Sequence, residues 1–339
     1  MEMPAIRTVD YHTAGEPLRI VLGKREVAGR TMAEKAANGA IALRAQRDFL
    51  VTEPRGHAEM FAAFLTEPVN AGSAFGVLFF DATAGSCFKG ACGHGSIALA
   101  AAAFEQGWVK GREGWNEIRL DVPLGTVRLA VELAGGKPGR VRYHHVPSRL
   151  LATDIHLPTG QGDVRLDLVR AGALVAFVDS AAMGLPPGRE TLPALRKLYA
   201  AIQAAAGTGA LRNPENGAPV VPELVLFTAD QEQRENSLRY DVAALFGPGS
   251  LDRSPCGTGT SARMAQLIGR GRLDATGRIV ATSIIGSSFT GSAEGMVDID
   301  GTAHVLPVVT GSAYLTGRHE FVQDPADMLR EGFRCEPES

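Results

Sequence analysis

One seven-residue pattern, C-G-x-G-[ST]-x-A, occurs twice in this chain of 339 residues. The copies occupy residues 92–98 and 256–262, and their separation (256 − 92 = 164 residues) is about half of the chain. An apolar pattern with helical spacing follows each copy. A duplicated half-chain predicts two similar domains related by a pseudo-two-fold axis, with the two motifs facing each other across a cleft.

The rest of the chain reads as short β-branched runs separated by turns rich in Gly and Pro, and it contains 40 glycines. Longer helical patterns are few. They include the stretch after each motif copy, Met32–Leu50, Glu190–Ala205 and Pro325–Arg330. Many strands with few helices favour a mixed α+β protein over a strict βαβ alternation. The length suggests about two domains, which we place at residues 1–150 and 151–323.

Each cysteine of the repeat, Cys92 and Cys256, stands directly before a Gly-x-Gly turn that opens a helical pattern. The first N–H groups of a helix lack partners within the helix and carry partial positive charge. Such a position is expected to lower the pKa of a thiol and to bind an anion such as a carboxylate. Glycines in both copies let the backbone approach a ligand closely: Gly93, Gly95, Gly257 and Gly259.

Two equivalent thiols suit the inversion of a stereocentre by proton transfer. That reaction needs a base on one face of the carbon and an acid on the other, and the roles exchange when the reaction runs backward. Three alternatives stay open. The cysteines are inert packing residues, or they form a redox pair, which requires Cα atoms within about 7 Å, or the chain is an amino-acid binder without activity.

Other polar residues have less specific readings. Asp252 could accept a hydrogen bond from a substrate ammonium, or it could simply cap the turn before Ser254-Pro255. His94 could be a base, or it could line the site. Cys87 could form a regulatory disulfide with Cys92, although a free thiol is the simpler reading.

Composition and charge exclude several classes of function. The net charge of -3 gives no basic field for nucleic acid. No apolar run approaches the roughly 20 residues that a membrane span needs, and the first eight residues resemble no signal peptide. The cysteine spacing matches no zinc site. We therefore expect a cytoplasmic protein that acts on a small molecule, without a metal, nucleic acid or membrane partner.

At these residues the sequence resembles the proline racemase family. The segment 252–262, D-R-S-P-C-G-T-G-T-S-A, is similar to the family's second-cysteine signature, and residues 92–95 are similar to its first. Residues 10–17, 54–57 and 311–314 also fit family patterns. The resemblance extends from about residue 7 to residue 333.

The resemblance implies a diaminopimelate-epimerase-like fold, with two pseudo-symmetric α/β domains that each place a curved sheet or barrel around a central helix. It implies no cofactor, in particular no pyridoxal phosphate. It also implies that residues 324–339 belong to the first domain. By position, Cys92 and Cys256 are the proton-transfer groups, and Asp252, with His94 as a second candidate, binds the ring nitrogen. Four residues would hold the carboxylate: Gly93, His94, Gly257 and Thr258.

Three activities occur in this family: proline racemase, 4-hydroxyproline 2-epimerase and trans-3-hydroxy-L-proline dehydratase. Cys256 argues against the dehydratases, which typically have Thr there. We expect 4-hydroxyproline as substrate, then proline, then dehydration of 3-hydroxyproline; a homodimer is left open. Several residues bear on this order. His57 and Ser288–Gly291 are similar to the corresponding residues of racemases or dehydratases. Ala91 stands where the family usually has Met, and Glu223 lies near a position where many hydroxyproline epimerases have His.

Overall fold

The computed structural model describes residues 4–83 and 88–335; Cys87 lies outside the described residues. The chain forms two compact units, one of Met1–Tyr143 with Ser312–Ser339 and one of His144–Gly311. The C-terminal part of the chain that belongs to the first unit therefore begins at Ser312. The sequence suggested that it begins at residue 324. The reason is one long strand, whose residues contribute to both units.

The elements follow one another along the chain as sixteen strands and five helices among the described residues. The part up to residue 144 contains β1 (Ile6–Thr13), β2 (Glu16–Lys24), α1 (Met32–Ala42), α2 (Arg44–Val51), β3 (Phe61–Thr66), β4 (Phe75–Asp81), α3 (Gly93–Glu105), β5 (Gly114–Val122), β6 (Gly125–Ala134) and β7 (Lys137–His144). The later part contains β8 (Arg149–Thr159), β9 (Gly162–Ala171), β10 (Ala173–Asp179), α4 (Leu192–Gly207), β11 (Leu224–Arg234), β12 (Ser237–Phe246), β13 (Ser250–Asp252), α5 (Gly257–Gly269), β14 (Arg278–Ser283), β15 (Ser288–Ile299) and β16 (Thr302–Phe321).

The strands of both units pair in the same alternating order. In the first unit β1 and β2 are antiparallel, β2 and β3 parallel, β3 and β4 antiparallel, β4 and β5 parallel, and β5 and β6 antiparallel. In the second unit the same sequence of directions runs through β9, β10, β11, β12, β14 and β15. The repeat seen in the sequence is therefore a repeat of the strand topology.

A parallel pair needs a crossover connection, usually a helix. Helix α3 makes the crossover from β4 to β5, and α5 makes it from β12 to β14 after the short strand β13. The two copies of the cysteine motif thus begin the same crossover helix in each unit. This equivalence explains why the motif survives in both halves.

Both crossover helices are buried almost all round, which is typical of a helix inside a core. In α3 every residue from His94 to Phe104 is buried, and the helix packs on β1, β2, β3 and β6. Helix α5 packs on β8, β9, β10, β14 and β15. A bridge between Ser148, just before β8, and Val305 in β16 joins the two ends of the run of paired strands from β8 to β16. These strands therefore close around α5.

Two helix predictions need correction. The single helix expected over Met32–Leu50 is two helices, because the chain leaves helical geometry at Leu43, where φ is -107° and ψ is 7°. The helix expected over Pro325–Arg330 is a series of turns. There the side chains of Asp324 and Asp327 accept backbone N–H groups two residues further on, and such local bonds compete with a helix. Within the described residues, no helix has the length and apolar character to cross a membrane.

Candidate functional site

The first motif places Cys92 at the N-cap position of α3. The side chain is buried, and its Sγ lies 3.6 Å from Nδ1 and 3.7 Å from Nε2 of His94. The thiol therefore faces the imidazole ring of the second residue of its own helix. This contact makes His94 a direct neighbour of the Cys92 sulfur.

The ring and backbone of His94 are held by two other parts of the first unit. The ring of Phe61 meets the imidazole edge-on at a centroid distance of 4.7 Å, and the hydroxyl of Thr13 donates a hydrogen bond of 2.9 Å to the carbonyl of His94. Thr13 ends β1 within the segment 10–17 that resembles a family signature. This segment is thus a hairpin end that fixes the first turn of α3.

The same hairpin depends on a buried ion pair. Asp10 and Arg19 lie 2.9 Å apart, and the hydroxyl of Thr8 donates a further bond to Asp10. Arg19 also donates to the carbonyls of Leu50 and Arg55, each at 2.6 Å. These bonds connect the hairpin of β1 and β2 to the end of α2 and to the segment that follows it.

The second motif places Cys256 at the N-cap position of α5 with φ 65° and ψ 115°. A positive φ is uncommon for a residue with a side chain and is maintained only when the surroundings impose it. The sulfur accepts a hydrogen bond of 3.3 Å from the N–H of Gly259. The helix start therefore turns this buried thiol toward its own backbone N–H groups.

The side chains of Asp252 and Ser254 hold the turn that precedes Cys256. Oδ1 of Asp252 accepts bonds from the N–H and the hydroxyl of Ser254, at 2.9 Å and 2.7 Å. The hydroxyl oxygen of Ser254 in turn accepts the N–H of Cys256 at 3.1 Å. The sequence allowed Asp252 to be a turn cap or a ligand group, and its bonds to Ser254 show that it caps the turn. Ser254 was not predicted, although its place between Asp252 and Cys256 was the available signal.

Burial raises the pKa of the Cys256 thiol well above its usual value, and the negative charge of Asp252 raises it further. The N–H groups of Gly259 and Thr258 act in the opposite direction but are outweighed. The prediction that the helix start lowers this pKa is therefore wrong for Cys256. A helix terminus supplies only partial charge, which does not offset complete burial beside a carboxylate.

The glycines of the motif serve two purposes. Gly93 and Gly257 are the first residues of their helices. At Gly95 a Cβ atom would lie 2.8 Å from the Phe79 ring and 2.9 Å from the Cys92 sulfur, and at Gly259 it would lie 2.3 Å from Leu226. At Gly95 and Gly259 the absence of a side chain thus allows close packing of the helix against a strand, and the close approach to a ligand stays a prediction.

Three further residues singled out in the sequence have structural contacts. Arg55 donates to the carbonyl of Phe49 at 3.0 Å and lies over the Phe49 ring. Gly56 has no room for a side chain, because a Cβ atom would lie 2.2 Å from the carbonyl oxygen of Val51. Glu223 accepts the N–H of Leu174 at 3.0 Å and so connects the starts of β10 and β11.

One charged pair in front of α3 was not predicted. Nζ of Lys89 lies 2.6 Å from Oδ2 of Asp81, the last residue of β4. A lone Lys three residues before the first thiol was the only sequence signal. Over residues 4–83 and 88–335, no group of three His, Cys, Asp or Glu side chains is placed to hold a metal ion.

Comparison with known proteins places this arrangement. The family model described as proline racemase matches residues 8–334. A proline racemase of Acetoanaerobium sticklandii is 33% identical over 332 residues, which cover 97% of this chain and 98% of the relative. A 3-hydroxyproline 2-epimerase of Burkholderia multivorans is 34% identical over 338 residues, with the same two coverages.

A solved structure agrees with the sequence matches. The crystal structure of a hydroxyproline epimerase from Agrobacterium vitis, with bound trans-4-OH-L-proline, aligns at a TM-score of 0.83 and 26% identity, covering 98% of this chain and 95% of that one. The predicted diaminopimelate-epimerase-like fold is thereby confirmed. Fold and relatives together define the class: the protein is an isomerase of the racemase and epimerase kind. The chain belongs to the proline racemase family.

Proposed function

We propose that this enzyme inverts the α-carbon of a proline-type amino acid by two-thiol proton transfer without a cofactor. One thiol removes the α-proton, and the other delivers a proton to the opposite face of the same carbon. The observation that supports this proposal is the equivalence of Cys92 and Cys256, which are both buried N-cap residues of the same crossover helix in the two repeats.

The two thiols have different proposed roles before the substrate binds. The raised pKa keeps Cys256 protonated near neutral pH, so this thiol is ready to act as the acid. A substrate ammonium beside Asp252 would offset the carboxylate charge that disfavours the thiolate. Ammonium binding would therefore lower the pKa of Cys256 and adapt it to the base role in the reverse direction.

The start of each helix offers the donors that a substrate carboxylate needs. We assign carboxylate binding to the backbone and side chains of the first helical residues: Gly93, His94, Gly257 and Thr258. The N–H groups at a helix start carry partial positive charge and favour an anion. Donors placed at a carboxylate also stabilise the negative charge that develops when the α-proton leaves. We assign the ring nitrogen to Asp252, with His94 as the second candidate.

The first substrate to test is 4-hydroxyproline, and proline is the second. The Agrobacterium vitis epimerase supports the first choice, because its structure contains trans-4-OH-L-proline and aligns over nearly the whole chain. The proline racemase of Acetoanaerobium sticklandii and His57 of this chain support the second. Dehydration of trans-3-hydroxy-L-proline ranks third because Cys256 is present. The cytoplasmic location and a homodimer stay predictions.

Proton NMR in D2O tests the proposal directly. The enzyme is incubated separately with L-proline, trans-4-hydroxy-L-proline and trans-3-hydroxy-L-proline. Loss of the α-proton signal together with appearance of the epimer identifies the reaction and its substrate. Water loss from the 3-hydroxy compound alone would make the protein a dehydratase. Binding of these compounds without exchange at the α-carbon would make it an amino-acid binder.

A further inference from the structure

The ion pair of Lys89 and Asp81 lies in the segment that leads into the first thiol. The side chain of Asp81 is only 3% exposed, whereas that of Lys89 is 33% exposed. A carboxylate that is buried and paired restricts the ammonium to one place. The pair thus presents a fixed cation that is still partly open to solvent.

Strand register shows which way Asp81 points. Asp81 is the direct antiparallel partner of Phe61, and side chains of directly paired residues project from the same face of a sheet. The ring of Phe61 contacts the imidazole of His94. Phe79, two residues before Asp81, shares this face and its ring lies against Gly95. Asp81 therefore lies on the face that receives the first turn of α3.

The backbone of the lysine segment is also fixed. The N–H of Lys89 donates a bond of 2.8 Å to the carbonyl of Phe79, and the N–H of Leu124 donates a bond of 3.0 Å to the carbonyl of Gly90. Only Gly90 and Ala91 separate Lys89 from Cys92, and neither carries a bulky side chain. The backbone of Lys89 is thus fixed three residues before the first thiol, and its ammonium lies at Asp81.

We propose that Lys89, positioned by Asp81, is a specificity-determining residue that donates a hydrogen bond to an oxygen substituent on the substrate ring. An ammonium has three N–H donors and no acceptor, and the Lys89 ammonium is in ion-pair contact with Asp81. The proposal rests on the proposed function, since it requires the substrate to bind at Cys92.

The ring oxygen is the natural partner because the other polar groups of the substrate already have partners in the proposed site. The carboxylate is assigned to the N–H groups of the helix starts, and the ring nitrogen is assigned to Asp252. Proline offers Lys89 no acceptor on its ring. A site built to bond a substrate hydroxyl discriminates strongly against the analogue that lacks it.

The test compares kcat/KM for trans-4-hydroxy-L-proline, trans-3-hydroxy-L-proline and L-proline in four proteins: wild type, Lys89→Met, Lys89→Arg and the double variant Lys89→Met/Asp81→Asn. The double variant leaves no unpaired buried carboxylate and so guards against misfolding of the single variant. Lys24→Met is the matched control, because Lys24 forms an ion pair of 2.7 Å with Glu67 in the same unit.

We expect Lys89→Met and the double variant to lower the preference for the preferred hydroxyproline over proline by about tenfold or more. Lys89→Arg should retain much of the preference, and Lys24→Met should retain all of it. An equal loss for all substrates would assign Lys89 to the carboxylate and overturn the proposal. A wild type that inverts proline and neither hydroxyproline would also overturn it and leave the two-thiol function intact. A wild type inactive on all three would overturn both.

Discussion

The thiol of Cys256 and the carboxylate of Asp252 interact across one turn of chain, and the carboxylate raises the thiol's pKa. The turn that joins them is held by Ser254, which bonds to both residues. Burial and this acidic group together disfavour the thiolate of Cys256. Under the proposed function, a substrate ammonium beside Asp252 would offset the carboxylate charge and so connect substrate binding to the protonation state of Cys256.

The pH dependence of Cys256 reactivity follows from this contact. Burial and the charge of Asp252 both disfavour the thiolate, so alkylation of Cys256 by iodoacetamide should be slow at neutral pH and accelerate as the pH rises. Asp252→Asn removes the negative charge, lowers the pKa and moves the rate curve to lower pH. Peptide mass spectrometry reads the modification at Cys256 separately from the other cysteines.

The matched control for that experiment is Asp163→Asn, which removes an exposed carboxylate of the same unit. Its rate curve should coincide with that of the wild type. A curve for Asp252→Asn that also coincides with the wild type would show that Asp252 does not govern the thiol.

Each thiol of the repeat should be indispensable for inversion. Cys92→Ala and Cys256→Ala should each lower racemisation or epimerisation by about 100-fold or more, because each removes one proton-transfer group. Cys335→Ala is the control, since Cys335 is exposed near the end of the chain. The readout is the rate of epimer formation. Substantial activity in either repeat variant would refute the two-thiol mechanism.

The helix glycines should be sensitive to a single added methyl group. Gly259→Ala places a Cβ atom 2.3 Å from the buried side chain of Leu226, and overpacking of this kind costs about 1–3 kcal/mol in the free energy of unfolding. Urea denaturation measures the loss. Gly207→Ala, at the end of α4, meets no atom within 4 Å and should leave stability unchanged or slightly higher. Equal effects of the two substitutions would contradict the packing argument.

The buried pair under the first hairpin should contribute strongly to stability. Arg19→Met leaves Asp10 buried without its main partner, which should lower the free energy of unfolding by about 3–5 kcal/mol. Asp10→Asn in the same chain should recover part of this loss, because it removes the uncompensated charge. Arg234→Met, which removes an exposed pair with Glu232, serves as the control. If Arg19→Met lowered the free energy of unfolding as little as Arg234→Met does, the hairpin would tolerate the Asp10 carboxylate without Arg19.

Local pattern explains what sequence reading predicted well. The helices after both motif copies begin at Gly93 and Gly257, where the glycines and the apolar spacing indicated them. Short apolar runs bounded by turns indicated strands, and the run 75–80 lies within the fully buried strand β4. Strands such as β12 and the 20-residue β16 were missed, although β12 alternates the buried Leu238, Tyr240 and Val242 with polar residues.

The sequence by itself determined the repeat, the cysteines at equivalent helix starts and the family resemblance, because each of these is written in neighbouring residues. Tertiary structure decided the rest. Complete burial beside Asp252 reversed the expected direction of the Cys256 pKa shift, strand packing gave Gly95 and Gly259 their purpose, and sheet register brought Asp81 to Lys89. Electrostatics and packing depend on the distances between groups in the folded chain, and the order of residues along the chain does not reveal those distances.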